Sequence, residues 1–264
     1  MTARLSFDFT SRPLVSYAHD YAHGDSEPWH HHSCAQLIHT LSGVVRVDTA
    51  QGSWIVPPGR GVWLPAYTRH ALQITGPVAA RTLFVDPLAR ADLPASCQVV
   101  PVSPLLRELI VSALPLPEVY APGSRSEHIY ELILDELRGL DVLPFNLPEP
   151  QSARLQKLCR AIQQAPGERW TLEEGARRLN LSSRTLARHF QRETGLHFSD
   201  WVRRARLVIA LTRLAQGESV LAVALDLGYD SPSAFSAMFR RLLGVAPPPI
   251  FLRQKGRRRV KQRL

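Results

Sequence analysis

The sequence is short of several things, and each shortage closes off a class of protein. No apolar run approaches the ~18 residues of a membrane-spanning helix, although 45% of the residues are hydrophobic. The first fifteen residues, MTARLSFDFTSRPLV, lack the apolar stretch of a secretory signal. Cysteine is scarce: Cys34, Cys97 and Cys159 are odd in number and scattered. That argues against a disulfide framework and for free thiols in a reducing cytoplasm. There is no phosphate-cradling P-loop and no Ser-His-Asp set, so neither nucleotide hydrolysis nor acyl transfer is indicated.

What is present divides into two halves. A chain of 264 residues has room for two domains and a connector. Its net charge of +9 is unevenly placed: residues 1–150 hold 10 Lys and Arg against 15 Asp and Glu, and residues 151–264 hold 22 against 8. The first half is therefore at −5 and the second at +14. An excess of that size suits a polyanion, whose condensed counterions are released when Lys and Arg neutralise phosphates; a solvated basic surface is the plainer alternative.

The basic half carries a repeat. Ala176, Leu179, Asn180 and Leu181 recur 48 residues later as Ala224, Leu227, Gly228 and Tyr229. Ser182, Leu186, Phe190 and Gly195 recur 49 residues later as Ser231, Phe235, Phe239 and Gly244. The slip of one falls at a turn. Each copy reads as a short helix, a tight turn and a second helix opening at a Ser, the pattern of a helix-turn-helix whose second helix can enter the DNA major groove. Thr171 with Glu174 reads as a capping box for the first helix, and Ser219 as the cap of its counterpart. In the second helices Leu186 and Phe190, or Phe235 and Phe239, are buried anchors. Ser183, Arg184, Ala187, Arg188 and Gln191 then project outward from the first, and Ser233, Ser236, Ala237 and Arg240 from the second. A long amphipathic helix from Trp201 to Leu214, with Arg203, Arg204 and Arg206 adding charge, would separate the two units.

Ala176-Arg177-Arg178-Leu179, Ser182 through Phe190, Arg206-Leu207, Leu227-Gly228-Tyr229, Phe235-Ser236, Phe239-Arg240 and Gly244 through Pro248 together resemble the DNA-binding domain of AraC-family transcription regulators. The resemblance spans about 100 residues. It implies base contacts from Arg184, Ala187 and Arg188 in the first unit, and from Ser233, Ala234, Ser236 and Ala237 in the second. Ser182, Thr185 and Ser231 complete the DNA-facing set. Within the family, repressors of efflux or metabolic genes are the subtype it is most similar to.

The acidic half is strand-like from Gln36. Leu37–Leu41, Val44–Val47, Ser53–Val56, Gly61–Leu64 and Arg81–Val85 are short, rich in β-branched and aromatic residues, and punctuated by Ser42-Gly43, Pro57-Pro58-Gly59 and Thr75-Gly76-Pro77. Such spacing predicts a sandwich or small barrel. Eight of ten histidines lie here. In extended chain His30 and His32 share a face and His31 points away. Gly24, His30, His32, Gln36 and Gly43, followed by Gly59, Pro65 and His70, resemble the two motifs of the cupin superfamily. Gln36 stands where that family has Glu, Tyr67 where a Gly is common, and Ile74 where Asn is usual. The resemblance implies that His30, His32, Gln36 and His70 line the mouth of a β-barrel, and a cupin-like domain is a familiar partner of the AraC-type DNA-binding domain. Three imidazoles suit a divalent transition metal, but a metal-free polar pocket for a small molecule uses the same residues; both stay open.

Between the halves, Leu105–Val111 and Glu127–Leu140 predict helices, the second capped by Ser126 or Ser124. Its stripe of Ile129, Leu132, Ile133, Leu137 and Leu140 could pack on the barrel or form a two-fold homodimer interface. Pro-rich residues 143–150 read as a linker. The expected architecture is α+β and multidomain: a cupin-like sensor over 1–100, a helical connector over 101–150, an all-α domain with two helix-turn-helix units over 151–253, and a basic tail over 254–264 that adds unspecific phosphate attraction. The expected function is a sequence-specific, cytoplasmic regulator of transcription, not an enzyme, binding operator DNA and a small-molecule effector or metal, with no membrane partner. A cupin-type metal enzyme fused to a DNA-binding domain is the alternative; the missing carboxylate at Gln36 weighs against it.

Overall fold

Strand and helix fall where the two halves of the sequence place them in the computed structural model, which describes residues 12–117, 119–138, 143 and 146–243. The tail, the Gly244–Pro248 motif, Gly139 and Leu140 lie outside the described residues. Eight antiparallel strands make one sheet: β1 (Leu14–Tyr21), β2 (Ser26–His30), β3 (Ala35–Thr49), β4 (Gly52–Val56), β5 (Arg60–Leu64), β6 (His70–Val85), β7 (Gln98–Pro101) and β8 (Asn146–Pro148).

Two long strands, β3 and β6, roll this sheet into two layers. The first part of β3 pairs with β5 and with the end of β6; the later part pairs with β4 and with the start of β6. β1 and β7 extend the first layer, β2 and β8 the second. Of the Gly-containing stretches that read as breaks, Ser42-Gly43 and Thr75-Gly76-Pro77 are bends within continuous strands, whereas Pro57-Pro58-Gly59 is the turn between β4 and β5. The β3–β6 register shifts around Ser42, and Gly43 sits there at φ 70 with its missing Cβ only 2.5 Å from the Pro77 carbonyl oxygen. A glycine accommodates both the bulge and the close approach, so the strand changes partners without ending.

Alternation then sorts the side chains. Ile38, Val62, Leu64 and Ala80 join one buried cluster; Leu37, Trp63, Leu83 and Val85 join another. The second cluster is covered by α1 (Pro104–Ala113) and α2 (Arg125–Arg138). Ser103 caps α1, accepting from the Leu106 N–H, and Ser124 faces the Glu127 N–H at the start of α2. The α2 stripe packs on the sheet through Ile129, Ile133 and Leu137, whereas Leu132 stays exposed.

Six helices follow: α3 (Ala153–Gln164), α4 (Leu172–Arg178), α5 (Ser183–Thr194), α6 (Phe198–Ala215), α7 (Val220–Asp226) and α8 (Pro232–Leu243). The stretch read as a linker is not a free tether. Asn146–Pro148 form β8 on β4, Trp201 Nε1 donates to the Pro148 carbonyl at 2.8 Å, and Arg204 donates to Asn146 Oδ1 at 2.6 Å. α6 is also fastened to the sheet by burial: Leu207, Ala210, Leu211 and Leu214 belong to the same cluster as Val45, Val47 and Ile74, as do Val223, Phe235 and Phe239 of the second helix-turn-helix unit. The first unit has its own core around Leu158, Trp170, Leu186, Phe190 and Trp201.

Candidate nucleic-acid interface and histidine cluster

The repeat is one local geometry built twice. Ser182 Oγ accepts from the Thr185 N–H at 3.1 Å, and Ser231 Oγ from the Ala234 N–H at 3.1 Å. Each N-cap satisfies one of the donors that a helix leaves unpaired. The turn before it repeats too: the Leu181 N–H reaches the Ala176 carbonyl at 2.9 Å and the Tyr229 N–H reaches the Ala224 carbonyl at 3.0 Å. The turn needs a left-handed residue, supplied by Asn180 at φ 50 and Gly228 at φ 76. Thr171 caps α4 by accepting from the Glu174 N–H; the Glu174 carboxylate binds Arg177 and Arg178, so only one limb of the capping box forms.

With Leu186, Phe190, Phe235 and Phe239 buried, the outer faces of α5 and α8 are determined. Arg184, Arg188 and Gln191 are exposed and Ser183, Thr185 and Ala187 half-buried on or beside one; Ser233, Ala234, Ala237 and Arg240 are exposed and Ser236 half-buried on the other. Pro232, Ser233, Ser236, Ala237 and Arg240 line a shallow groove. The basic residues divide into two kinds. Arg178 lies over the Trp170 ring and binds Glu168 and Glu174; Arg213 binds Glu218 and Asp226. Arg203, Arg204 and Arg206, expected to add charge along the spacer helix, serve structure: Arg203 pairs with Asp200, Arg204 holds β8, and Arg206 donates to the Pro166 and Glu168 carbonyls. Arg184, Arg188 and Arg240 have no ion-pair partner among the described residues, which leaves their charge available at the surface.

In the sheet domain the chain gathers His30, His32 and His70. One ligand atom of each lies within 4.8 Å of the others. His30 and His70 face each other across β2 and β6. Their Nδ1 atoms meet the Pro28 and Thr68 carbonyls at 2.7 and 2.8 Å. Since a carbonyl only accepts, each Nδ1 carries a proton, and on the His70 ring that leaves the lone pair on Nε2. His70 Nε2 is buried with no hydrogen-bond partner. Burial, then the neighbouring His30 and His31, pulls His32 down to about 4. Burial, opposed by the Thr68 carbonyl and assisted by His30 and His32, pulls His70 down to about 4 as well. Both rings are thus neutral at pH 7, as metal ligation or hydrogen-bond acceptance requires. Gln36 is buried and pairs across the sheet with Phe84, against whose ring His32 packs edge-on at 5.2 Å; Gln36 Oε1 has no partner. His31 is exposed, as alternation predicts.

Residues 12–181 match the family model of the AraC-like ligand binding domain, and residues 176–249 match a helix-turn-helix domain model. The chain is 32% identical over 222 residues to the HTH-type transcriptional regulator NimR of Escherichia coli K12, covering 84% of this chain and 81% of NimR. The chain belongs to the AraC family of transcription regulators. A shorter similarity, 35% over 101 residues, links 38% of it to 30% of the HTH-type transcriptional regulator RipA of Corynebacterium glutamicum. Among solved structures, ToxT of Vibrio cholerae aligns with a TM-score of 0.38 and 10% identity, over 91% of this chain and 98% of ToxT. This AraC-family chain is accordingly a DNA-binding regulator with a ligand-binding domain, not an enzyme.

Two residues near the imidazoles escaped the sequence pattern. Glu27 Oε2 is 3.5 Å from His30 Nε2, and the Tyr21 hydroxyl donates to Glu27 Oε1. Residues three apart point to opposite faces of a regular strand, so Glu27 gave no signal; a register shift between Glu27 and His30 turns them to one side. Tyr67 was noticed only as a departure from glycine. It adopts φ 63, and its N–H donates to the His32 carbonyl at 2.8 Å.

Proposed function

We propose that α5 and α8 read two successive major-groove segments of an operator, and that occupation of the histidine-lined mouth of the sheet domain changes how well they do so. The observation that carries the first part is a division among arginines: Arg184, Arg188 and Arg240 have no ion-pair partner among the described residues and lie on the exposed faces, while Arg177, Arg178, Arg203, Arg204, Arg206 and Arg213 are committed to protein partners. An unpaired guanidinium can bind guanine O6 and N7 bidentately or a phosphate. The second part is supported by the shared core. The histidines lie on β2 and β6 or next to them, and further along β6 Gly76 lies against α6: a Cβ there would be 3.1 Å from the Ala215 carbonyl oxygen. A ligand that favours one arrangement of β6 against α6 would shift the spacing of the two units, provided it binds the two arrangements unequally. A homodimer with equivalent helical faces, Leu105, Val111 and Leu132 being exposed on α1 and α2, would place two such domains on a two-fold site. Among the described residues no helix is long and apolar enough to cross a membrane, in keeping with a cytoplasmic protein.

The experiment is a gel shift with DNA flanking the gene, at moderate salt, against unrelated DNA of equal length. A specific shift that small molecules or metals alter supports the proposal. Equal affinity for all sequences, or a shift indifferent to every candidate, refutes its respective halves.

A further inference from the structure

We propose that Arg206 is the positioning residue that fixes the second helix-turn-helix unit against the first and thereby sets the operator spacing that the chain accepts. This deepens the reading above of α5 and α8 as two successive major-groove elements, and rests on it. What matters first is where α6 changes cores. Trp201, Val202 and Ala205 belong to the buried cluster of the first unit, and Leu207, Ala210, Leu211 and Leu214 to that of the second. The two clusters are separate, so among the described residues no common core holds the units at one angle. Arg206 stands at the changeover, half-buried, and its guanidinium touches both sides.

Toward the first unit, Nε donates to the Pro166 carbonyl at 2.9 Å and Nη2 to the Glu168 carbonyl at 3.0 Å. Both carbonyls lie in the loop between α3 and α4. That loop is tied to α4: Glu168 pairs with Arg178 at 2.6 Å, and the Arg178 guanidinium lies over the Trp170 ring. Toward the second unit, Arg206 lies over the Tyr229 ring, 5.7 Å from its centroid. Burial raises the pKa of the Tyr229 hydroxyl, and the charge of Arg206 and a hydrogen bond from it act the other way. Tyr229 packs edge-on against Phe235 at 5.5 Å, and Phe235 is a buried anchor of α8. One planar cation therefore links the loop that precedes α4 to the turn that precedes α8. Its fork serves two carbonyls and a ring face together, a geometry that a lysine ammonium does not reproduce. Beside it the Gly167 and Gly228 backbones meet directly, a Cβ on either being 2.4 Å from a carbonyl oxygen. With Nε and Nη2 turned to carbonyls, loss of Arg206 should leave the number of phosphate contacts unchanged.

The test reads this geometry without and with DNA, in the full-length protein. Spin labels at Gln191→Cys on α5 and Ala237→Cys on α8, both exposed, report the distance between the recognition helices; the three native cysteines are buried. The labelled protein should give one narrow distance distribution, and Arg206→Met should broaden or shift it. Unlabelled protein is then titrated with a duplex that wild type selects from randomised DNA, and with copies one base pair longer or shorter between the two groove segments. One base pair moves the second segment by ~3.4 Å and ~35°, so wild type should lose about tenfold or more. Arg206→Met should bind the selected duplex more weakly and distinguish the spacings by less than about threefold, with an unchanged salt slope. Arg206→Lys should fall between the two. Tyr229→Leu removes the ring alone; it should act in the same direction, and it decides the matter if circular dichroism shows Arg206→Met unfolded. Unchanged distances or an unchanged spacing preference overturns the proposal. So does a salt slope lowered by about one, which would make Arg206 a phosphate contact. If wild type selects no sequence, the reading of α5 and α8 fails, and the distance measurement alone judges whether Arg206 joins the units.

Discussion

Arg188 and Arg240 differ in what stands at the same place in the other unit. With the offset of 49, Arg188 on α5 corresponds to Ala237 on α8, and Arg240 corresponds to Gln191. Ala237 offers a methyl group and no hydrogen bond, so the two halves of the operator should be read with unequal stringency. Arg188→Ala should relax base preference in one half-site, with about 1–3 kcal/mol of discrimination lost at one or two base pairs. Arg240→Ala should weaken binding alike across sequences and lower the salt slope by about one. Selection from randomised DNA and a salt titration separate the two; a uniform loss for both would remove Arg188 from base readout. Tyr67 is the other informative residue. A bulky side chain at φ 63, 69% exposed, is held in a left-handed conformation that costs it roughly 1–2 kcal/mol. Glycine removes the steric cost but adds entropy to the unfolded chain, about 0.5–1 kcal/mol. Tyr67→Gly should therefore leave stability unchanged or raise it by up to about 1 kcal/mol in denaturant unfolding; a loss would mean that the Tyr67 side chain contributes contacts of its own.

The two turns look interchangeable when only their own hydrogen bonds are considered, and packing makes them different. Asn180 serves in the first unit, so Asn180→Gly should preserve fold and DNA affinity. Gly228 is confined: a Cβ there would be 2.4 Å from the Gly167 carbonyl oxygen, and one on Gly167 would be 2.4 Å from the Asp226 carbonyl oxygen. This backbone contact joins the loop after α3 to the turn of the second unit, so it helps set how α8 lies relative to α5. Gly228→Asn is compatible with the left-handed φ but not with the space. It should destabilise the second unit by several kcal/mol and reduce specific DNA binding far more than Asn180→Gly; equal effects in thermal melts and gel shifts would show that the contact between the units does not constrain them.

For the whole molecule the shared cluster means that the sheet domain and the second helix-turn-helix unit bury apolar surface against each other, and titration reaches the same structure. His39, 1% exposed, meets the Arg60 carbonyl through Nδ1 at 2.9 Å, while its Nε2 is buried without a partner. Burial, opposed by that carbonyl and assisted by Arg107 and Arg81, lowers its pKa, and His32 and His70 are lowered to about 4. The unfolded chain, with histidines near ~6.5, then binds more protons than the folded one as pH falls. The stability that the neutral His32 and His70 rings contribute is present in full above pH ~6.5 and is lost between there and about 4, and His39 acts in the same direction. Metal-free protein should show a falling melting temperature from pH 7 to 5, with His39→Gln reducing the slope; a flat profile would mean that these rings are no harder to protonate in the fold than in the unfolded chain.

Much of this was legible without coordinates because it is local. Caps, turns and helical spacing depend on residues within a few positions of one another, so Ser182, Ser231, the anchors Phe190 and Phe239, and the outward arginines follow from the repeat itself. The strand segments and the pairing of His30 with His32 follow from alternation in the same way. What the tertiary structure alone decided depends on contacts between distant segments. Ser42-Gly43 and Thr75-Gly76-Pro77 could have been turns; the partner strand made them bends. Asn146–Pro148 could have been a tether; β4 and Trp201 made it a strand. Arg204 and Arg206 could have faced DNA; Asn146 and the Pro166 carbonyl claimed them. Glu27 joined the imidazoles only because a bulge reversed its face. Short-range order sets which residues can be neighbours along the chain, whereas the choice among long-range partners is made by burial and by the need of every buried polar group for a counterpart.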